Sequence, residues 1–265
     1  MRSATLTLAA TLAVGLTTSF VSTSAIARDY DEIRLGVDVP YEPFMYREAD
    51  GSLTGFEIEL GNAVCEYLEA SCSWVEQDWD GIIPGLLARN YDAIMSSMAI
   101  TDERAQRVLF SEAYYTTPSA WITTLEHDIN IEDRASLEGL TVGVQRATLQ
   151  DNYVTEMYGD VLEIRRYTGV DDVVTDLIGG RLDLTFMDYP IAEAAIDIDS
   201  EGSDFQRISD FIKQPEHIFG QGVGVAFRPR DEALAERFND ALRALKDNGT
   251  YDEIMNRYFN YDVRL

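Results

Sequence analysis

Two blocks of alternating strand and helix, the second a restart of the first, constrain this chain more than any other feature of its sequence. "EIRLGVDV" (32–39) alternates and then runs apolar, as a buried strand does. In "SLTGFEIELGNAVCEYLEA" the apolar Phe56, Ile58, Leu60, Val64, Tyr67 and Leu68 fall close to helical spacing. "CSWVEQ" reads as a second strand, "IIPGLLARN" as a short helix with proline in its first turn, and "YDAIMSS" as a third strand. "TDERAQRVL" opens another helix, with Thr101 as N-cap and acids in the first turn. The cycle then begins again. "LEGLTVGVQRATLQDNYVTEMY" is strand, loop and helix, and "LEIRRYT" is a strand. "GVDDVVTDLIGGRL" is a helix closed by Gly179-Gly180, and "LDLTFMDYPIAEAAI" a strand running into a helix. A further strand in "GQGVGVAFRP" and two helices broken at Asn248-Gly249 complete the chain, and "DIDSEGSD" (197–204) is a polar loop. A β-α-β-α-β order calls for sheets with parallel pairings, and two such blocks mean two lobes. The expected class is α/β, each lobe a mixed, mainly parallel sheet flanked by helices.

Residues 1–27 stand outside this pattern. They carry one charge, Arg2, then an uncharged apolar run interrupted by Thr and Ser, and end in Ala25-Ile26-Ala27. That is the form of a cleaved export signal; the alternative, a membrane anchor, needs about 18–20 unbroken apolar residues. The full sequence is 46% hydrophobic, and the 238 residues that remain are enough for real cores. The charge, −26 overall, becomes −27 once Arg2 leaves with the signal. Nucleic acid and anionic membranes would be repelled by such a surface. Only Lys213 and Lys246 represent lysine, and a lysine-poor acidic surface suits either a salt-loving source or simply an acidic exported protein. Cys65 and Cys72, the only cysteines, bracket a helix end and its turn and favour a structural disulfide in an oxidising compartment. Neither His127 nor His217 has zinc-like spacing to them, so no metal and no cofactor is expected.

Open α/β sheets bind ligands at the carboxyl ends of their strands. The first block delivers there Asp38 and Tyr41, then Trp79, then Ser96, Ser97 and Arg104. The second delivers Gln145, Arg146, Thr148, Gln150 and Asp188. Carboxylates, a guanidinium, hydroxyls and aromatic faces converging on one crevice suit a small zwitterion. Arginine's planar fork captures a carboxylate, exposed amides at the helix start in "RATLQ" add donors, and an aspartate takes an ammonium.

Across essentially all of residues 28–265 the chain resembles the extracellular solute-binding proteins of polar amino-acid ABC transporters, family 3, and most of all the branch that binds lysine, arginine, ornithine and histidine. "GVDVPYEPF", "GSLTGFEIEL", "DAIMSSMAIT" with Arg104, "FSEAYY", "LEGLTVGVQRATLQ", "GRLDLTFMD" and "GTYDEIMNRYFNYDV" carry the resemblance. It implies a type II two-lobe periplasmic binding protein, without catalytic residues, that closes on its ligand and presents it to an ABC permease. Lobe 1 would comprise 28–116 plus 222–265 and lobe 2 117–221, joined by two hinge strands near 115–121 and 217–225. The protein would be a periplasmic monomer. Carried over position by position, Arg104 holds the ligand α-carboxylate with Ser97 and amides near Thr148, and Asp188 receives the α-ammonium. Tyr41 and Trp79 sandwich the side chain, Asp38 meets a cationic head, and Ser96 and Gln150 are polar neighbours. The Cys65–Cys72 spacing also resembles that branch's disulfide.

Two positions depart from the family pattern. Ala99 stands where relatives have Thr or Ser, and Leu149 where a second hydroxyl residue is usual. These departures admit an opine or ectoine-type solute as an alternative ligand. A dehydratase-like enzyme on the same fold is a further alternative, against which stands the lack of cysteine or histidine among the crevice residues.

Overall fold

The computed structural model describes residues 30–198 and 200–264. The segment 1–27 lies outside the described residues. In chain order the elements are β1 (Glu32–Val37), β2 (Tyr46–Arg47), β3 (Leu53–Thr54), α1 (Phe56–Tyr67), β4 (Ser71–Glu76), α2 (Trp79–Leu87), β5 (Ala93–Ile94), α3 (Asp102–Ala105) and β6 (Leu109–Phe110). There follow β7 (Ser119–Thr124), β8 (Thr141–Gln145), α4 (Leu149–Tyr158), β9 (Glu163–Tyr167), α5 (Val170–Ile178), β10 (Leu184–Asp188), α6 (Tyr189–Ile196), β11 (Phe205–Arg207), α7 (Glu216–Phe219), β12 (Ala226–Phe227), α8 (Glu232–Asp247) and α9 (Thr250–Tyr258).

Ten of the strands form two five-stranded sheets, ordered β4-β1-β5-β12-β6 and β11-β7-β10-β8-β9, one per lobe, and β2 and β3 pair antiparallel as a small sheet of their own. The parallel pairings are those of the two βαβ blocks: β1 with β4 and β5, β8 with β9 and β10. The antiparallel ones come from strands that reach a sheet after the chain has changed lobe or turned back along an edge: β12 with β5 and β6, β7 with β10 and β11. The chain passes between the sheets twice, after β6 and after β11, and the two passages touch at the bridge Tyr115↔Val223.

Helices form where the apolar periodicity requires a buried stripe. In α5, Val170, Val173, Val174 and Leu177 are buried, and in α8, Leu234, Phe238, Ala241, Leu242 and Leu245. Local differences from the sequence pattern matter for the site. The helix expected from Ile82 begins at Trp79, because Asp78 takes the N-cap position and Gly81 N–H already bonds the Asp78 carbonyl. The helix expected over 101–109 is a single turn, since Leu109 and Phe110 leave it to pair with β12 at the sheet edge. Of "YDAIMSS" only Ala93 and Ile94 form the ladder, and the chain breaks out at Ser96 and Ser97.

Cys65 and Cys72 are joined by a disulfide, Cα–Cα 6.1 Å, tying the end of α1 to the start of β4. The entry to α1 depends on Gly55. Its φ is +121°, and a Cβ there would lie 2.4 Å from the Phe44 carbonyl oxygen. Beneath this turn Phe44, Phe56, Tyr115 and Phe259 form one aromatic cluster, with Tyr115 stacked on Phe44 at 5.3 Å and edge-on to Phe56 at 5.4 Å. Among the described residues no helix is long and apolar enough to cross a membrane, and no group of His, Cys, Asp and Glu could hold a metal ion.

Candidate ligand-binding site

At the carboxyl ends of β1, β5, β8 and β10 a cavity lies between the two lobes. Its wall contains ten of the eleven residues that the strand ends deliver: Asp38, Tyr41, Trp79, Ser96, Ser97 and Arg104 from one lobe, Gln145, Thr148, Gln150 and Asp188 from the other. Leu149 joins them, and Arg146 lies outside the wall, paired with Asp80.

Each polar side chain is held by its own strand-end geometry. Ser96 Oγ accepts the Asp38 backbone N–H at 2.9 Å, locking the exit of β1 to that of β5. Ser97 sits at φ +50° and Ala147 at φ +60°, so both lobes put a non-glycine residue in the left-handed region beside the cavity. Thr148 caps α4: its Oγ1 accepts the Asp151 N–H and donates to the Gln145 carbonyl. Asp151 in turn accepts the Ala147 N–H at 3.1 Å and pairs with Arg166 at 2.8 Å, which fixes the loop. The Thr148 hydroxyl is therefore committed to the cap, and the helix start presents the cavity with backbone amides and the apolar Leu149.

The cleft is closed by contacts between lobes. Tyr41 Oη donates to Asp188 Oδ2 at 2.8 Å, Gln145 Nε2 to Asp38 Oδ2 at 2.8 Å, and Trp79 Nε1 to the Ala147 carbonyl at 3.0 Å. At the mouth Arg146 lies 3.4 Å from Asp80.

Three ionisable groups in this enclosure lack a partner of opposite charge at bonding distance among the described residues. Arg104 donates to the Ala99 carbonyl at 3.1 Å and stacks over Trp79 at 5.2 Å, but makes no salt bridge. Burial lowers its pKa to about 10, so it stays cationic at neutral pH. Asp188 accepts from the neutral donors Tyr41, Ser119 and Gln150, and burial raises its pKa against them. Asp38 has Gln145 alone. Burial pushes it up to about 6, the Gln145 hydrogen bond opposes this, and nearby Asp78, Asp171 and Asp80 add to it. Buried charges without counter-charges are costly, and a ligand that supplies the missing partners recovers that cost.

Gln145 was visible in the sequence as a residue delivered by β8, but nothing there showed that its amide would cross the cleft to Asp38. Ser119 comes from the passage between lobes, a region with no motif to mark it.

Two α/β lobes with a polar cavity between them at the strand ends define the class of the solute-binding proteins. Residues 33–261 match the bacterial extracellular solute-binding proteins, family 3, and the chain belongs to that family. It is 37% identical over 249 residues to the L-arginine-binding protein of Pseudomonas aeruginosa, covering 94% of this chain and 95% of that protein. It is 36% identical over 257 residues to the lysine/arginine/ornithine-binding periplasmic protein of Escherichia coli, covering 97% of each. Among solved structures, a Salmonella typhimurium periplasmic binding protein of high arginine specificity superposes with a TM-score of 0.79 at 28% identity, covering 86% of this chain and 99% of that one.

Proposed function

We propose that this protein is the substrate-binding component of an ABC importer, and that it captures a cationic amino acid, arginine, lysine, ornithine or histidine, in the cleft. The observation that carries the reading is the set of three enclosed charges without counter-charges: Arg104, Asp188 and Asp38. A zwitterion with a cationic side chain supplies a partner to each of them. Its carboxylate meets Arg104, Ser97 and the α4 amides; its α-ammonium meets Asp188; its head meets Asp38. Trp79 and Tyr41 flank the stem, with Ser96, Thr148 and Gln150 fixing the groups around them. The names of the relatives support the same ligand class. The absent Ala99 hydroxyl leaves Asp188 as the principal acceptor for the α-ammonium.

Lobe 1, 28–116 with 222–265, and lobe 2, 117–221, close about the passages near 115–121 and 217–225. A ligand shifts that equilibrium by its preference for the closed form, which is then offered to the permease. The protein acts in the periplasm as a monomer after removal of residues 1–27, and the cleft binds without turnover: its two carboxylates, Asp38 and Asp188, are held by neutral donors. The experiment is a thermal-shift panel of the four cationic amino acids, glutamine, glutamate, an opine and ectoine, with mass spectrometry of small molecules retained on purification. The reading predicts stabilisation by cationic amino acids, recovered unaltered. Stabilisation by glutamate, opine or ectoine alone, or recovery of a product, contradicts it.

A further inference from the structure

Glu57, on the second residue of α1, is fully buried and takes no part in the cavity wall. Its Oε2 accepts the Ser97 backbone N–H at 2.8 Å, and its Oε1 accepts the hydroxyl of Tyr114. A buried carboxylate bonded to a main-chain amide holds that peptide firmly, and the residue so held is the one in the left-handed conformation at the cleft. Ser97 is held a second time, through its side chain. Tyr115 Oη donates to Ser97 Oγ at 2.7 Å. Tyr115 is itself buried, clamped between Phe44 and Phe56, and lies on the passage between the lobes, where its carbonyl accepts the Val223 N–H at 2.8 Å.

A serine hydroxyl has one hydrogen to give. With Tyr115 donating to its oxygen, the Ser97 hydrogen must go elsewhere, and among the described residues no acceptor takes it. Ser97 lines the cavity. We propose that Glu57 and Tyr115 are positioning residues for Ser97: the carboxylate fixes its backbone and the phenol occupies its acceptor side, so that its hydroxyl hydrogen is turned onto the ligand carboxylate. This rests on the ligand reading given above. It also makes the lobe junction a sensor of occupancy, since the phenol that orients the serine is carried by the passage about which the lobes close.

The groups that feel the charge of Glu57 are all tyrosines, Tyr114, Tyr115, Tyr41 and Tyr251, with no basic side chain bonded to it among the described residues. Burial raises its pKa to about 7 against the Tyr114 and Ser97 hydrogen bonds. The Ser97 amide resonance therefore reports its ionisation.

The test is a double-mutant cycle read by calorimetry with arginine, joined to an NMR titration of the Ser97 amide. Tyr115→Phe keeps the ring and removes the donor. It is expected to weaken arginine binding roughly three- to tenfold in the native background and less than twofold on top of Ser97→Ala. Equal losses in both backgrounds, or none, overturn the role of Tyr115. In the native protein without ligand, the Ser97 amide proton is expected to shift with a midpoint near pH 7, and Glu57→Gln to abolish that shift. A Ser97 amide proton left unmoved by Glu57→Gln at every pH tested overturns the role of Glu57. If the native protein binds no amino acid, the proposed function fails, while the amide titration still decides whether Glu57 holds Ser97.

Discussion

Tyr41 of one lobe donates a 2.8 Å hydrogen bond to Asp188 of the other, so the acceptor assigned to the ligand ammonium is already gripped from across the cleft. Closure and ligand capture thus draw on the same carboxylate. Tyr41→Phe removes the donor and leaves the ring. Its expected effect is a faster release of arginine, with the on-rate changed less than the off-rate, measured by stopped-flow tryptophan fluorescence. An unchanged off-rate would show that the contact does not secure the closed form.

Arg104→Lys tests the guanidinium. Lysine keeps the charge but loses the planar fork, the contact to the Ala99 carbonyl and the stacking on Trp79. Arginine affinity is expected to fall more than tenfold, about 1.4 kcal/mol or above, with the thermal midpoint of the ligand-free protein retained. Normal affinity in a folded mutant removes Arg104 from the site.

Asp38 sets a pH dependence. Its carboxyl is pushed up to about 6, so below that value the ligand-free cleft presents a neutral acid to the cationic head. Affinity for arginine is expected to fall as pH drops through about 6, and that for glutamine to change far less. Asp38→Asn should abolish the slope and cost cationic ligands more than neutral ones. Gln145→Leu, which deletes the one hydrogen bond favouring the ionised form, should move the midpoint upward. Calorimetry between pH 5 and 8 reads all three; a slope that survives Asp38→Asn belongs to another group.

Stability without ligand should run against the usual trend. Asp38 at about 6 and Glu57 at about 7 have folded pKa values above their ordinary ones, so the folded state binds more protons than the unfolded chain between about pH 4 and 7. Their contribution declines as pH rises through that window. At fixed salt the ligand-free thermal midpoint is expected to be lower at pH 7.5 than at pH 5, with arginine restoring it. A midpoint rising monotonically over that range contradicts the assignment.

The disulfide closes a short loop between α1 and β4. Replacing both Cys65 and Cys72 by serine should cost about 2–3 kcal/mol in denaturant unfolding and leave arginine affinity within about twofold.

The sequence made the βαβ blocks legible because buried strands and amphipathic helices impose different apolar periods, and the strand ends named the cleft residues because α/β sheets place ligands there. Short elements were not legible. β2, β3 and β6 are two residues each, too short for any period to show, and β6 takes its pairing from β12, far along the chain. Trp79 looked like a loop residue because Pro84 drew attention to a later helix start. Gln145 was legible as a residue that β8 delivers, but its reach to Asp38, like the bond from Ser119 to Asp188, is made between residues far apart in the chain, and such contacts leave no local pattern. Nothing in the apolar spacing of α1 marks Glu57 as buried; its burial comes with hydrogen bonds from Ser97 and Tyr114, both far along the chain.

The central claim is that Arg104 and Asp188 take opposite poles of one zwitterion. It is tested most directly by calorimetric titration with arginine, Nα-acetylarginine and arginine methyl ester, which keep the side chain and remove one pole at a time. The account predicts one-to-one binding of arginine and at least roughly hundredfold weaker binding of both derivatives, each having left one buried charge unpaired. Binding of either derivative as tight as arginine itself contradicts it.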